Sequence, residues 1–410
     1  MIDFRRYSLS NGLRIIHSYD PSSVLLTINV LYDTGARDER RGLTGIAHLF
    51  EHLMFGGSIN IPDFDLELHG AGGSSNAWTS NDFTNFYDTL PAVNVETAFH
   101  LESDRMMGLS FSRESLEVQR SVVIEEFKQQ CLNRPYGDLF HGLRGALYNR
   151  NHPYSWPVIG IEPSHIAAVT EKDTRQWFYS HYAPNNAVLS ITGNLPYDRG
   201  RELVEKWFGD IPYRDIVKRE LPDPGFPKED LTVRMSGNVP NSAVVVAIPM
   251  DRYGTYDYRV ADCITDILSS GRSSRFLQNL ILNGNGQFIE ADASIVGSEE
   301  PGFLMLNART DGDVEQAANL MLNQLELLSI PGNLTSHELE RTFNCFESNY
   351  LINNLSPVML AQNLALSEMH NENIKETIAK QKEIKLSDIS RVASKLLSTP
   401  KVKLVYSPGK

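Results

Sequence analysis

Thr44-Gly-Ile-Ala-His-Leu-Phe-Glu-His-Leu-Met-Phe-Gly-Gly57 is the stretch from which the rest of this chain can be read. It reads as one helix, with Thr44 able to cap its start and Gly56 and Gly57 able to end it. At about 100° per residue, His48, Glu51 and His52 fall within an arc of roughly 100°. Ile46, Ala47, Leu49, Phe50, Leu53 and Met54 cover the rest of the surface. A helix that apolar is buried, and buried imidazoles and carboxylates need partners. Two imidazoles at i and i+4 can grip one ion from a single turn. Zinc suits such nitrogen ligands and leaves a position open for water. The pattern is H-x-x-E-H, the inverse of H-E-x-x-H. The competing reading is an ordinary polar helix face.

The wider composition narrows the context. A chain of 410 residues predicts two or three domains with sizeable cores. Hydrophobic residues at 41% and charged residues at 22% are those of a water-soluble globular protein. No apolar run approaches the ~20 residues of a membrane span. The start, Met-Ile-Asp-Phe-Arg-Arg-Tyr, has no apolar signal core, so a bacterial cytoplasmic location is expected, with periplasm or organelle left open if the chain is trimmed. Cys131, Cys263 and Cys345 are odd in number and far apart, which predicts reduced thiols. A formal charge of -13 argues against nucleic acid as a partner.

In chain order, residues 7–17 and 24–34 read as strands, and so do 74–79 and 84–90. Helices are predicted near 94–108 and 112–131, a strand over 185–193 and a helix over 197–208. A proline-rich, charged stretch then reads as a linker. The second half repeats the first. Arg259–Gly271 echoes Gly45–Gly57, 214 residues on. Asp313-Val-Glu-Gln-Ala echoes Asn94-Val-Glu-Thr-Ala at 219, and Leu339-Glu340 echoes Leu116-Glu117 at 223. Offsets that drift slowly one way are what a duplicated domain with small insertions gives. The expected fold is therefore α+β, two homologous domains, each an antiparallel sheet packed with helices. Their expected bounds are 1–212 and 230–410, with a linker over 213–229. At the positions of His48, Glu51 and His52 the second half has Asp262, Thr265 and Asp266, so chemistry belongs to the first domain.

Two histidines leave zinc short of three protein ligands. Glu125 and Glu126 are both candidates for the third. On a helical wheel Glu126 lies near Leu116, Val122, Val123 and Phe127, whereas Glu125 lies with Ser121, Lys128 and Gln129. Glu126 is thus the one expected to point inward.

These residues together resemble the pitrilysin family of inverted zincins, which includes insulysin and the mitochondrial processing peptidase. The resemblance rests on Asn11-Gly-Leu13, Gly45–Gly57, Ser75-Asn-Ala-Trp-Thr79, Val122-Val-Ile-Glu-Glu126, Ile191-Thr-Gly-Asn194 and Ser273-Ser-Arg275. The half-length form is similar to the branch whose subunits pair around a chamber, in particular the processing peptidase β subunit. It implies a zinc-dependent endopeptidase with one zinc per chain, held by His48, His52 and Glu126, with Glu51 as general base. The 73 residues between His52 and Glu126 are close to the family's usual gap. Ser75, Asn76, Ala77 and Trp78 match the edge strand on which an extended peptide substrate lies. The competing class is a structural, core-protein-like subunit that has lost its site.

Two departures from the family pattern stand out. Gln119 replaces a glutamate. The arginine and tyrosine that family enzymes carry after Ser-Ser-Arg-x-x-Gln align here with Ile281 and Phe288, and neither side chain can donate to a developing oxyanion. The expectation is a heterodimer with a second half-length relative that supplies an Arg/Tyr pair, in preference to a homodimer.

Overall fold

The computed structural model describes residues 3–217, 219–284, 286–297 and 299–409. The chain forms two units, each built on one sheet.

The first unit carries β1 (Arg5–Ser8), β2 (Arg14–Tyr19), β3 (Leu25–Tyr32), β4 (Ser74–Thr79), β5 (Thr84–Pro91) and β6 (Ala187–Gly193) in the order β1-β2-β6-β3-β5-β4. Neighbours are antiparallel except β2 and β6. The expected strand over 7–17 is two strands. Asn11-Gly12 breaks it, because Gly12 takes φ +88° and the Asn11 side chain accepts from Leu13 N at 3.2 Å. The helices are α1 (Ile46–Leu53), α2 (Phe64–Gly70), α3 (Val95–Met107), α4 (Arg113–Phe127), α6 (Pro163–Ala167), α7 (Glu171–His181), α8 (Tyr197–Phe208) and α12 (Pro357–Met369).

The second unit carries β7 (Leu231–Gly237), β8 (Ser242–Pro249), β9 (Phe288–Val296), β10 (Phe303–Thr310) and β11 (Val402–Pro408) in the order β7-β11-β8-β10-β9. Its helices include α5 (Leu139–Leu147), α9 (Tyr256–Ser269), α10 (Val314–Ser329) and α14 (Leu386–Ser398). Replace β7, β11, β8, β10 and β9 by β2, β6, β3, β5 and β4 and the order is the same. The single parallel pair recurs too, as β7 with β11. The duplication read from three short echoes is thus a duplication of topology.

The units do not follow the division expected at 212 and 230. Residues 128–157 belong to the second unit and 349–377 to the first. Each sheet is covered on one face by a helix from the other half of the sequence. In the first unit Ser190 and Thr192 hydroxyls donate to the α12 carbonyls of Ala361 and Pro357, both at 2.7 Å. In the second, Leu139, Leu143 and Leu147 of α5 pack into the core with Val245, Val402 and Leu404. Contiguity in sequence does not reveal such an exchange, because it is made by contacts between residues far apart in the chain. α11 (Ser336–Asn353) and α13 (Thr377–Lys382) run across the boundaries between the units. No helix among the described residues is long and apolar enough to cross a membrane.

Candidate metal centre

α1 forms where the sequence places it, but its start is capped differently. Gly45 holds the N-cap position with φ +88°, and a Cβ there would meet Ile159 O at 2.8 Å. The Glu39 carboxylate accepts from the backbone N–H groups of Gly45 and Ala47, both at 3.0 Å. A carboxylate suits that end of a helix, where unpaired N–H groups and the dipole are positive. Thr44, the expected cap, lies outside the helix. Its hydroxyl bonds instead to His165 Nδ1 at 2.8 Å and accepts from Ile161 N at 2.9 Å. At the other end the hydrogen-bonded turns run through Gly56, and Gly57 takes φ +97°.

The apolar face seats the helix. Ile46, Ala47, Leu49, Phe50 and Leu53 are buried, and Phe50 packs against Phe178 and Tyr182 with ring centroids 6.2 and 4.8 Å away. Each large side chain buried in this way contributes about 1.5–3 kcal/mol toward seating the helix.

His48 and His52 meet edge to face, 4.9 Å between centroids. Glu126 arrives from α4, its Oε2 3.6 Å from His48 Nε2 and 3.5 Å from His52 Nε2. One ligand atom from each of the three lies within 4.8 Å of the others. Donors set tetrahedrally about 2.0–2.2 Å from one zinc would be about 3.3–3.6 Å apart, so the two imidazole–carboxylate separations fit. No other group of that kind occurs among the described residues. Glu125 is exposed and Glu126 half-buried, as the helical wheel predicted, although Val122 on the same edge is exposed.

The electrostatics suit a cation. Burial, and then the neighbouring His52, pull His48 down to about 4. Burial also lowers His52, against the opposing pull of Glu126 and of a hydrogen bond that its imidazole donates to Gln119. Both imidazoles are therefore neutral near pH 7, with lone pairs free for a metal. His48 Nδ1 is buried without a hydrogen-bond partner among the described residues. Glu51 is pushed up, first by burial and also by Glu126, against a hydrogen bond from Thr79. That bond, Thr79 Oγ1 to Glu51 Oε2, is 2.5 Å long.

Ser75, Asn76, Ala77 and Trp78 all lie on β4, which is the edge of its sheet and, among the described residues, pairs only with β5. Strand alternation splits them. Ser75 and Ala77 share a face with Thr79 and hence with α1. Asn76 and Trp78 point to the face covered by α12, where Trp78 Nε1 donates to Gln362 at 3.3 Å. Sequence reasoning missed Thr79 as a partner of Glu51 and Glu39 as the helix cap. Counting two on from Ala77 would have put Thr79 on the same face. Nothing local marks Glu39.

Residues 14–159 match the family described as Insulinase (Peptidase family M16), and residues 168–344 match its Peptidase M16 inactive domain. The chain belongs to peptidase family M16. Among relatives of this M16 chain, zinc protease PqqE of Helicobacter pylori is 28% identical over 282 residues, 67% of this chain and 63% of that protein. The uncharacterized zinc protease YmxG of Bacillus subtilis is 25% identical over 383 residues, 90% of this chain and 91% of that one. Yeast mitochondrial-processing peptidase subunit beta is 26% identical over 267 residues, 63% of this chain and 56% of that one. The match thus spans under two thirds of the first and third of these. A crystal structure of a protease from Helicobacter pylori shares the fold, with a TM-score of 0.91 at 24% identity and full coverage of both chains. The family assignment and the α+β, two-domain fold agree with the sequence reading.

Proposed function

We propose that this M16 chain is a zinc-dependent endopeptidase for extended or unfolded peptides. The observation that carries the reading is the convergence of His48 Nε2, His52 Nε2 and the Glu126 carboxylate beside Glu51. His48, His52 and Glu126 would hold one zinc. When bound, zinc supplies Lewis acidity, making a water acidic near neutral pH and polarising the scissile carbonyl. Glu51 takes the proton from the attacking water and returns it to the leaving amine. The carboxylate suits both halves of that task, because burial raises its proton affinity above that of an exposed glutamate. The free edge of β4 offers backbone N–H and C=O groups to an extended peptide as an added strand, which selects for unfolded segments more than for sequence.

We further propose that the working form is a heterodimer. Phe288 is 6% exposed and Ile281 packs against the core of the second unit. Both are packing residues, and neither offers a donor for an oxyanion. A second half-length relative with an Arg/Tyr pair would supply it, and a relative of this chain is named as a subunit. The test is hydrolysis of an unstructured peptide by the zinc-loaded chain, alone and with such a relative. Activity that rises at least tenfold on mixing is expected. Full activity alone, unchanged by the partner, overturns the heterodimer. No hydrolysis in either arm overturns the peptidase.

A further inference from the structure

We propose that Thr79 is a positioning residue that orients Glu51 and ties it to the edge strand. The inference rests on Glu51 acting as the base and adds what holds it. A glutamate side chain has three rotatable bonds, and a base must keep its carboxylate aimed at one proton to be efficient. Among the described residues, the hydrogen bond from Thr79 is the one hydrogen bond made to the Glu51 carboxylate, and it uses Oε2. Oε1 is left to meet the water.

The donor is itself held. Thr79 ends β4 and pairs in register with Thr84 of β5. Thr84 is buried, and its hydroxyl donates to Thr34 O at 3.0 Å. Thr79 is also β-branched, so its χ1 is stiff where that of a serine would not be. A stiff donor on a paired strand thus fixes a flexible acceptor on a helix, 28 residues earlier in sequence. The same strand offers its other edge for pairing. A peptide added there would be aligned by the strand that aims the base.

The test uses the zinc-loaded full chain, assayed together with the partner wherever mixing raises its rate. Thr79→Val keeps the branched shape and removes the hydroxyl. Loss of a hydrogen bond to a charged group predicts a fall in kcat of roughly 10- to 100-fold, with KM changed less than about twofold and zinc content unchanged. Thr79→Ser restores the donor and should recover kcat to within about threefold. In a Glu51→Gln background, Thr79→Val should cost nothing further, since it acts only through Glu51. Unchanged kcat in Thr79→Val, or an undiminished loss in the Glu51→Gln background, overturns the proposal. If wild type and Glu51→Gln hydrolyse peptide at equal measurable rates, the reading of Glu51 as the base fails by itself, and if neither hydrolyses it, the peptidase reading fails. A crystal structure of Thr79→Val then decides: a displaced Glu51 carboxylate supports the positioning role, and an unmoved one refutes it.

Discussion

α1 and α9 occupy equivalent places on two sheets of the same strand order, and their apolar positions match one for one. Ile46, Ala47, Leu49, Phe50, Leu53 and Met54 correspond to Val260, Ala261, Cys263, Ile264, Ile267 and Leu268, and all twelve are buried. The three polar positions differ completely. α1 presents His48, Glu51 and His52, and α9 presents Asp262, Thr265 and Asp266. In α9 the Thr265 hydroxyl turns back to Asp262 O at 2.8 Å, and Glu126 is matched by Asn349. The comparison separates two tasks. The apolar stripe seats the helix and is kept in both units. The donors ride on that stripe and can be exchanged without unseating it.

The largest effect should fall on metal content. His48→Ala and Glu126→Ala are expected to abolish binding of about one zinc per chain, while Asp262→Ala and Glu125→Ala leave it intact. Metal analysis of the purified variants reads this directly. Retained zinc in Glu126→Ala would assign the third ligand elsewhere and weaken the contrast between the two helices.

Next in size is turnover. Glu51→Gln removes the base and little volume, so zinc should stay while hydrolysis drops by about 10²–10⁴-fold. Thr265→Ala, its counterpart, should leave kcat unchanged. A Glu51→Gln variant of near-normal rate would place the base outside α1.

The smallest effect concerns the acids left on α9. Asp266 is pushed up to about 6, by burial and by the negative charge of Asp262. Its folded pKa lies above the unfolded value of about 3.9, so the folded state binds the extra proton between those values. Stability from this group is present below pH about 4 and lost as pH rises through about 6. Asp266→Asn should therefore raise the melting temperature at pH 8 by roughly 2–4 °C, for about 1–2 kcal/mol, with no gain near pH 4. A gain of equal size at both pH values would mean that charge is not the cause.

How far each feature could be read from sequence follows from its range. Helical spacing alone grouped His48, Glu51 and His52, and the same wheel separated the exposed Glu125 from the half-buried Glu126. Spacing of two would have divided β4, whose Ser75 and Ala77 face α1 while Trp78 reaches Gln362 under α12. The four residues expected to meet an extended peptide therefore lie on two faces of one strand. Thr44 was a sound cap by residue type and lost the role because Gly45 turns left-handed ahead of the helix.

The sequence by itself determined the features set by local periodicity: the apolar stripe, two imidazoles one helical turn apart, and a second half that repeats the pattern without the donors. Those follow from 3.6 residues per turn and need no knowledge of neighbours. Tertiary structure alone decided which distant groups meet them. Glu39 caps α1, Thr79 holds Glu51, and α5 and α12 each cover the sheet of the opposite half. Such contacts join residues far apart in the chain. Close packing and the need to satisfy buried polar groups select them, and neither leaves a period in the sequence.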